Sequence, residues 1–424
     1  YVPLRAEGSE SVPAVVCAFP CNVPCRENRP LQTNKKEVQR LKLLHTGDLH
    51  LGRTLGDFRL IEDQKYILKQ IVELAEQETV DAVLVAGDVY DRAVPSEEAV
   101  ALLDDFLCEL AARKIKVLLI SGNHDSDERL HFGSTLFQNS GIHIAAKYEG
   151  VLYRQVLEDA FGRLNVYLLP FVKASQVRHF FPEEKIETYE DAVRVILDRA
   201  QPDSGERNVL VAHQFVAGGA DPVLAGSEGA ATQTVGLVEK ISPECFDAFD
   251  YVALGHIHSP QRVGREEVRY SGSPLKYSLD EAGSEKSVSL VTIEEKGEVD
   301  IRLLPLKPCR DLRHIRGKRD QLLDPAHIES PEDYIYVTLT DEDIIDDAMG
   351  IFQQYYPNTV RIDYDNSHTR AIEQVTIAQI AREKSFSELI SDFYTQVYGC
   401  EISGEELQIM REVAGEAGVE NAAD

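Results

Sequence analysis

No run of apolar residues in this chain approaches the ~20 needed to cross a bilayer. The apolar stretch Ala14–Phe19 is also too short for the centre of a signal peptide. Those two absences predict a cytoplasmic protein with no membrane association. Basic charge is scarce as well: 44 Lys and Arg stand against 72 Asp and Glu, for a formal net charge of −28. A self-sufficient nucleic-acid binder carries a basic footprint, so the composition argues against one. Three things would offset that: local clustering of basic residues, divalent cations bound near a site, or a partner with its own binding surface. The seven cysteines build no framework, because Cys108, Cys245, Cys309 and Cys400 are scattered, which excludes a disulfide scaffold. Cys17, Cys21 and Cys25 recur every fourth position but fit no common zinc spacing and lack an evident fourth ligand. They fall in residues 1–40, a Pro-rich, polar and aperiodic stretch that reads as an appended, poorly ordered extension.

What the chain does hold is an ordinary globular share of hydrophobic residues, 43% of 424, enough for two or three domains. Five short apolar stretches, each reading as a strand buried on both faces, stop at polar residues of one kind. Leu41–Leu44 runs to Gly47, Asp48 and His50; Val83–Ala86 runs to Gly87 and Asp88. Val117–Ile120 runs to Gly122, Asn123, His124 and Asp125, Val209–Ala212 to His213, and Val252–Leu254 to Gly255, His256 and His258. A single His or Asp after a strand is an ordinary satisfied polar residue. Five in succession point to one site, because open α/β sheets place their sites at the carboxyl ends of strands. Residues two apart in extended chain share a side, so Asp48 with His50, and His256 with His258, are expected to form two claws. Asp88 has two oxygens with which to bridge two cations, and Asn123 adds a neutral carbonyl oxygen. The pattern reads as a two-metal site.

Helical periodicity separates the strands. Ile67, Leu68, Ile71, Val72 and Ala75 mark one apolar face, and Ser96 caps a second helix on which Val100, Leu103, Leu107 and Leu110 are expected to face the core. This alternation predicts βαβαβ with a largely parallel sheet. Short strands at Ile142–Ile144 and Val166–Leu169 and a helix near Ala192–Ala200 follow, then an insertion with Gly218, Gly219, Gly226 and Gly229. Val288–Ile293 and Val299–Leu304 read as a hairpin closing a second sheet. A smaller α/β unit is expected from Tyr334–Leu339 (strand), Ile344–Tyr355 (helix) and Thr359–Asp363 (strand). The acidic run Asp341–Asp347 reads as a solvated helix N-terminus. Two helices end the chain. Phe386, Leu389, Ile390, Phe393 and Val397 stripe the first, and Ser403 with Glu406 forms a capping box before Leu407, Met410, Ala414 and Ala417 on the second.

Taken in order, Gly-Asp-x-His, Gly-Asp, Gly-Asn-His-Asp, a lone His and Gly-His-x-His resemble the calcineurin-like metallophosphoesterases. Asp91 after Gly-Asp-Val-Tyr, the stretch Tyr270–Pro274, and the length beyond the core make the chain similar, within them, to SbcD-type (Mre-type) nuclease subunits of bacterial SbcC–SbcD complexes. The resemblance implies a four-layer α/β/β/α sandwich over 41–305, a small α/β capping domain over 306–380 that positions DNA, and partner-binding C-terminal helices over 381–424. It implies a 3′–5′ exonuclease and single-strand or hairpin endonuclease working as a homodimer within a heterotetramer with an SMC-like ATPase on DNA ends. The insertion before His256 reads either as substrate-adjacent in the family manner or as an ordinary surface loop. A metallophosphoesterase acting on small nucleotides or phosphoproteins, and a non-catalytic DNA-end scaffold, are the alternatives.

By correspondence with that family, Asp48, His50 and His258 would hold one ion and Asn123, His213 and His256 the other, with Asp88 between. A His, Asp and Asn donor set without thiolate favours manganese, magnesium or iron over structural zinc. His124 is the candidate proton donor for the leaving oxygen, with Asp125 expected to fix its tautomer and orientation. Its side chain is expected to diverge from Asn123 at a tight turn and so stay off the ions. Arg53, Asp91 and Arg92 adjoin the metal blocks and are expected to meet phosphate or support the ligands. The family's archaeal members carry a His where Asp91 stands, so no role of that His transfers to it.

Overall fold

The computed structural model describes residues 40–219, 222–226, 240–367, 387–388, 390–391, 394 and 402–416. Cys17, Cys21, Cys25, Cys400, Gly229, and Phe386, Leu389, Phe393 and Val397 of the predicted stripe lie outside them, as does Ala417.

Two six-stranded sheets face each other. The first runs in the order Val299–Pro305, Ser287–Ile293, Leu41–Thr46, Ala82–Ala86, Lys116–Ile120, Ile142–Ala145. The second runs Gln261–Val263, Arg265–Tyr270, Tyr251–Gly255, Arg207–His213, Gly162–Leu169, Tyr153–Asp159. Alternation within the strands decides which face each residue fills. Leu43, Leu84, Leu118 and Ile120 meet Val166, Leu168, Val209, Val211 and Ala253 between the sheets. Leu44, Val83, Val85, Val117 and Leu119 pack outward under the helices Ile61–Gln77 and Glu97–Ala112. On the second sheet Leu210, Ala212, Val252 and Leu254 pack under Ala174–Phe180 and Tyr189–Ala200. Both faces of both sheets are therefore buried, at about 1.5–3 kcal/mol per large apolar side chain. The result is a four-layer α/β/β/α sandwich.

The hairpin Ser287–Pro305 corrects one expectation: it extends the first sheet, with Ser287–Ile293 antiparallel to Leu41–Thr46, instead of closing the second. A second correction concerns the helix Glu97–Ala112. Ser96 does cap it, accepting from Ala99 N at 3.2 Å, but Val100 is 46% exposed and Ala99, Leu102 and Phe106 join Leu103, Leu107 and Leu110 inside.

A third sheet is all parallel, in the order Leu312–Gly317, Tyr334–Leu339, Thr359–Tyr364, with its own core of Ile335, Val337, Leu339, Phe352 and Tyr356. Its helix is only Ala348–Gln353, shorter than the expected Ile344–Tyr355. Asp347 takes a left-handed conformation (φ 49°) and caps the helix from Gly350 N, which ends the run where it begins. At the chain's end Ser403 and Glu406 exchange backbone N–H bonds of 3.0 and 3.3 Å, opening the helix Gly404–Glu416 as the capping box requires.

A buried carboxylate helps fasten the third sheet to the first layer, beside the packing of Leu312 and Tyr334 into that layer's core. Asp63, in the helix Ile61–Gln77 and 2% exposed, accepts from Arg310 Nε at 2.9 Å, Tyr334 Oη at 2.9 Å and Cys309 Sγ at 3.1 Å. Removing it leaves a guanidinium and a phenol without their acceptor. Asp63→Ala is expected to cost about 3 kcal/mol, the low end for one partner of a buried ion pair, read as a fall in the chemical-denaturation midpoint.

Candidate metal centre

Parallel neighbours in register end at one level, and here five strand ends meet. Ala86 pairs with Ile120 and Val85 with Thr46 in the first sheet, and Gly255 pairs with His213 in the second. Bonds then cross the sandwich at that edge. His213 Nδ1–H donates to Ala86 O at 2.7 Å, and His256 N–H donates to Asp48 Oδ1 at 2.8 Å. Two of the turns that carry the ligands leave no room for a side chain at their glycines, Gly122 and Gly255. A Cβ on Gly122 would lie 2.1 Å from Asp88 Oδ1, and one on Gly255 would lie 1.8 Å from Ala86 O.

The ligand residues themselves are strained. Asp48 (φ 51°), His50 (φ 44°), Asp88 (φ 46°) and His256 (φ 103°) all sit in the left-handed region, uncommon for residues with a Cβ. Backbone bonds hold them there: Asp48 N donates to Gly87 O at 3.0 Å and His50 N to Asp88 O at 2.9 Å. Asp48 and His50 do share a site, but through this kinked geometry and not through extended chain.

Ligand atoms of Asp48, His50 and His258 all lie within 4.8 Å of one another, as do those of Asp48, Asp88 and His213. His50 Nε2 and His258 Nε2 face each other at 3.0 Å. Asn123 Oδ1 lies 3.1 Å from His213 Nε2 and 2.9 Å from His256 Nδ1. Asp88 Oδ2 is 3.3 Å from His213 Nε2 and 3.6 Å from His50 Nε2, so it stands between the two groups. His256 and His258 therefore part, one to each group, and do not form a claw of their own.

Burial and neighbouring charges set the electrostatics of the cluster. Burial pushes His50 well below the usual imidazole range, so its ring is neutral and offers a lone pair. Burial would also lower His213, but Asp88 and Asp48 outweigh it and raise His213 to about 9. Asp88 is held well below the carboxylate range against its own burial, by His213, His50 and His124. Burial raises Asp48 to about 6 in spite of His213 and His258. Asp48 Oδ2 and His50 Nδ1 are buried with no hydrogen-bond partner among the described residues. Orphaned polar atoms beside the neutral His50 ring, with two carboxylates that draw positive charge onto His213, fit divalent cations, and the oxygen–nitrogen donor set fits hard or borderline ones.

Residues 41–260 match the calcineurin-like phosphoesterase family, a span that contains all seven of these residues. The chain belongs to the calcineurin-like phosphoesterases. Residues 308–398 match a second family, the SbcD C-terminal domain, described as the type 5 capsule protein repressor C-terminal domain. A phosphoesterase domain followed by that domain is the make-up of an SbcD-type subunit. The crystal structure of a dimetal phosphatase from Danio rerio is similar at 12% identity, over 63% of this chain and 99% of that one, with a TM-score of 0.35.

Around this calcineurin-like centre the remaining candidates fall differently from expectation. His124 N–H donates to Asp88 Oδ1 at 2.9 Å, and its Nδ1–H donates to Asp91 O at 3.0 Å. Asp91, not Asp125, thus fixes the His124 tautomer. Asp125 turns away and accepts from Val89 N, Tyr90 N and Gly122 N at 2.9–3.0 Å, stapling two metal loops together. His50, Asp91 and His124 also bring ligand atoms within 4.8 Å of one another. Arg53 donates to Asp91 Oδ1 at 3.1 Å and stacks 5.1 Å over Tyr277, while Arg92 lies 79% exposed beside Asp91. Sequence reasoning missed Gln64, Tyr277, Glu281 and Lys286. Gln64 donates to His50 O at 2.7 Å and Tyr277 Oη to Leu49 O at 2.6 Å. Nothing in their local pattern marks them, apart from the nearness of Tyr277 to the stretch Tyr270–Pro274.

Proposed function

We propose that this chain is a metal-dependent DNA nuclease, cutting phosphodiesters at DNA ends and hairpins in concert with an SMC-like ATPase. The observation that carries this reading is the coupling of a calcineurin-like centre to an SbcD-type C-terminal domain. The division into a nuclease domain (41–305), a capping domain (306–380) and C-terminal helices (381–424) belongs to the same proposal. A chain with a net charge of −28 fits a subunit whose partner supplies much of the DNA-binding surface.

Asp48, His50 and His258 would hold one ion and Asn123, His213 and His256 the other, with Asp88 shared; manganese is the first choice, then magnesium or iron. When bound, such ions neutralise phosphate charge and make a water acidic enough to attack at neutral pH. The chain's own residues do the rest. Asp88 and the backbone of His124 are tied at 2.9 Å, so the proton donor is set against the ligand cluster. With Nδ1–H committed to Asp91 O, His124 turns Nε2 toward the cluster, 4.0 Å from Asp88 Oδ2. Protonated there, Nε2 delivers its proton to the leaving sugar oxygen. Arg53, Asp91 and Arg92 line the approach, and the two arginines offer cations to the flanking phosphate.

The test is a gel assay on end-labelled duplex and hairpin DNA with manganese, beside hydrolysis of bis-p-nitrophenyl phosphate and of a phosphopeptide. Shortening of the DNA from its 3′ ends and opening of the hairpin, both abolished by chelator, is the expected result. Intact DNA with rapid hydrolysis of the phosphopeptide would overturn it in favour of a phosphatase.

A further inference from the structure

Behind His258, on the side away from the ligand cluster, lies a buried ion pair that the nuclease reading does not use. Glu281 and Lys286 are 1% and 4% exposed and joined directly to each other. They come from the loop between Tyr270 and the hairpin strand Ser287–Ile293, and neither is in a motif that marks the metal blocks. Burying two charges costs several kcal/mol per ion unless every lone pair and proton is used. Here they are used on the backbone and side chain of one metal ligand and its support.

Lys286 Nζ donates to His258 O at 2.9 Å and to Ser273 Oγ at 2.9 Å. Glu281 Oε1 accepts from Tyr277 N at 3.1 Å and lies 3.8 Å from His258 Nδ1. The Tyr277 ring so placed meets His258 and His50 edge-on, at 5.9 and 5.7 Å between centroids. Glu281 is ion-paired with Lys286 inside the protein, so a carboxylate stands directly behind the His258 ring. A carboxylate behind Nδ1 fixes the tautomer whose Nε2 lone pair faces the cluster, and raises that nitrogen's basicity.

His213, in the other group, gives its Nδ1–H to the Ala86 carbonyl at 2.7 Å, and the carboxylate nearest that nitrogen, Asp48 Oδ1 at 3.9 Å, belongs to the ligand set itself and already accepts from His256 N. The two halves of the centre are thus supported unequally: behind His258 stands a buried anion additional to the ligand set and paired with Lys286, whereas behind His213 stand a peptide oxygen and a carboxylate that is itself one of the ligands.

We propose that Glu281, held by Lys286, is the positioning residue that makes the Asp48–His50–His258 position the tighter of the two metal sites. The proposal rests on the two-metal reading above. It concerns affinity and site order, not the presence of the centre.

The test is titration of the full-length chain with manganese alone, followed by calorimetry and by the electron paramagnetic resonance of free Mn(II). Wild type is expected to show two classes of site. Glu281→Gln keeps the size and hydrogen-bonding reach of the side chain and removes the charge. It is expected to weaken the tighter class about 10–100-fold, the usual effect of losing the partner of a ligating histidine, and to leave the weaker class in place. Because a lone buried Lys286 is destabilising, Glu281→Gln/Lys286→Met removes both charges, and the same selective loss is expected in that stably folded background. Unchanged affinity of both classes in either variant overturns the proposal, and so does an equal loss from both. Wild type that binds no manganese, or a single equivalent, would overturn the two-metal reading itself, and this inference with it.

Discussion

Asp88→Ala is expected to lose bound metal and turnover together. One carboxylate faces both halves of the cluster, 3.3 Å from His213 and 3.6 Å from His50, and also anchors the His124 backbone at 2.9 Å. Without it His213 loses the main partner that raises its pKa to about 9. Elemental analysis after purification should give well under the wild-type manganese content, and nuclease turnover should fall below detection. Asp88→Asn retains the shape and the acceptor for His124 N, so it separates charge from packing. It should still fold but bind manganese poorly. Two tightly held ions in either variant would show that Asp88 does not bridge.

His124→Ala is expected to part chemistry from binding. The imidazole reaches the cluster from a loop held by Asp125, whose three backbone acceptor bonds do not depend on His124. Removal should therefore leave the loop, the ions and DNA affinity in place. Turnover should drop by roughly 10²–10⁴-fold, the usual worth of a general acid, with KM little changed. His50, Asp91 and His124 come within ligand distance of one another, so metal content must be measured alongside. Loss of an ion equal to the loss of rate would make His124 a ligand.

Much of the sandwich was legible because a strand buried on both faces must be apolar at every position and must stop abruptly where it leaves the core. That is what Val83–Ala86 and Val117–Ile120 do before Gly87 and Gly122. The grouping of Asp48 with His50 was also legible, although the reason was wrong. Strand alternation does not account for it, since both residues are kinked into positive φ and held by the Gly87 and Asp88 carbonyls. Local alternation equally cannot say which sheet edge a hairpin joins. Ser287–Ile293 lies far along the chain from Leu41–Thr46, and only three-dimensional closure pairs them. The strand Leu312–Gly317 was missed for a different cause: Arg313, His314 and Arg316 interrupt its apolar pattern at a sheet edge. Helix phase misled at Val100 by one residue, since Ala99 packs inward without a large apolar side chain to announce it.

Asp125 shows the limit of reading adjacency as contact. It follows His124 in the chain, yet its oxygens point to Val89, Tyr90 and Gly122, while the orienting acceptor for His124 is the Asp91 carbonyl, which no sequence pattern marks. Glu281 and Lys286 were invisible for a related reason, because a support that acts from behind a ligand has no spacing rule of its own.

The claim on which the rest depends is that the strand ends of both sheets hold two cations around Asp88. Anomalous diffraction at the manganese edge, from crystals grown with manganese, tests it most directly. Two peaks are predicted, one among Asp48, His50 and His258 and the other among Asn123, His213 and His256, with Asp88 touching both. A single peak, or density away from these seven side chains, would contradict it.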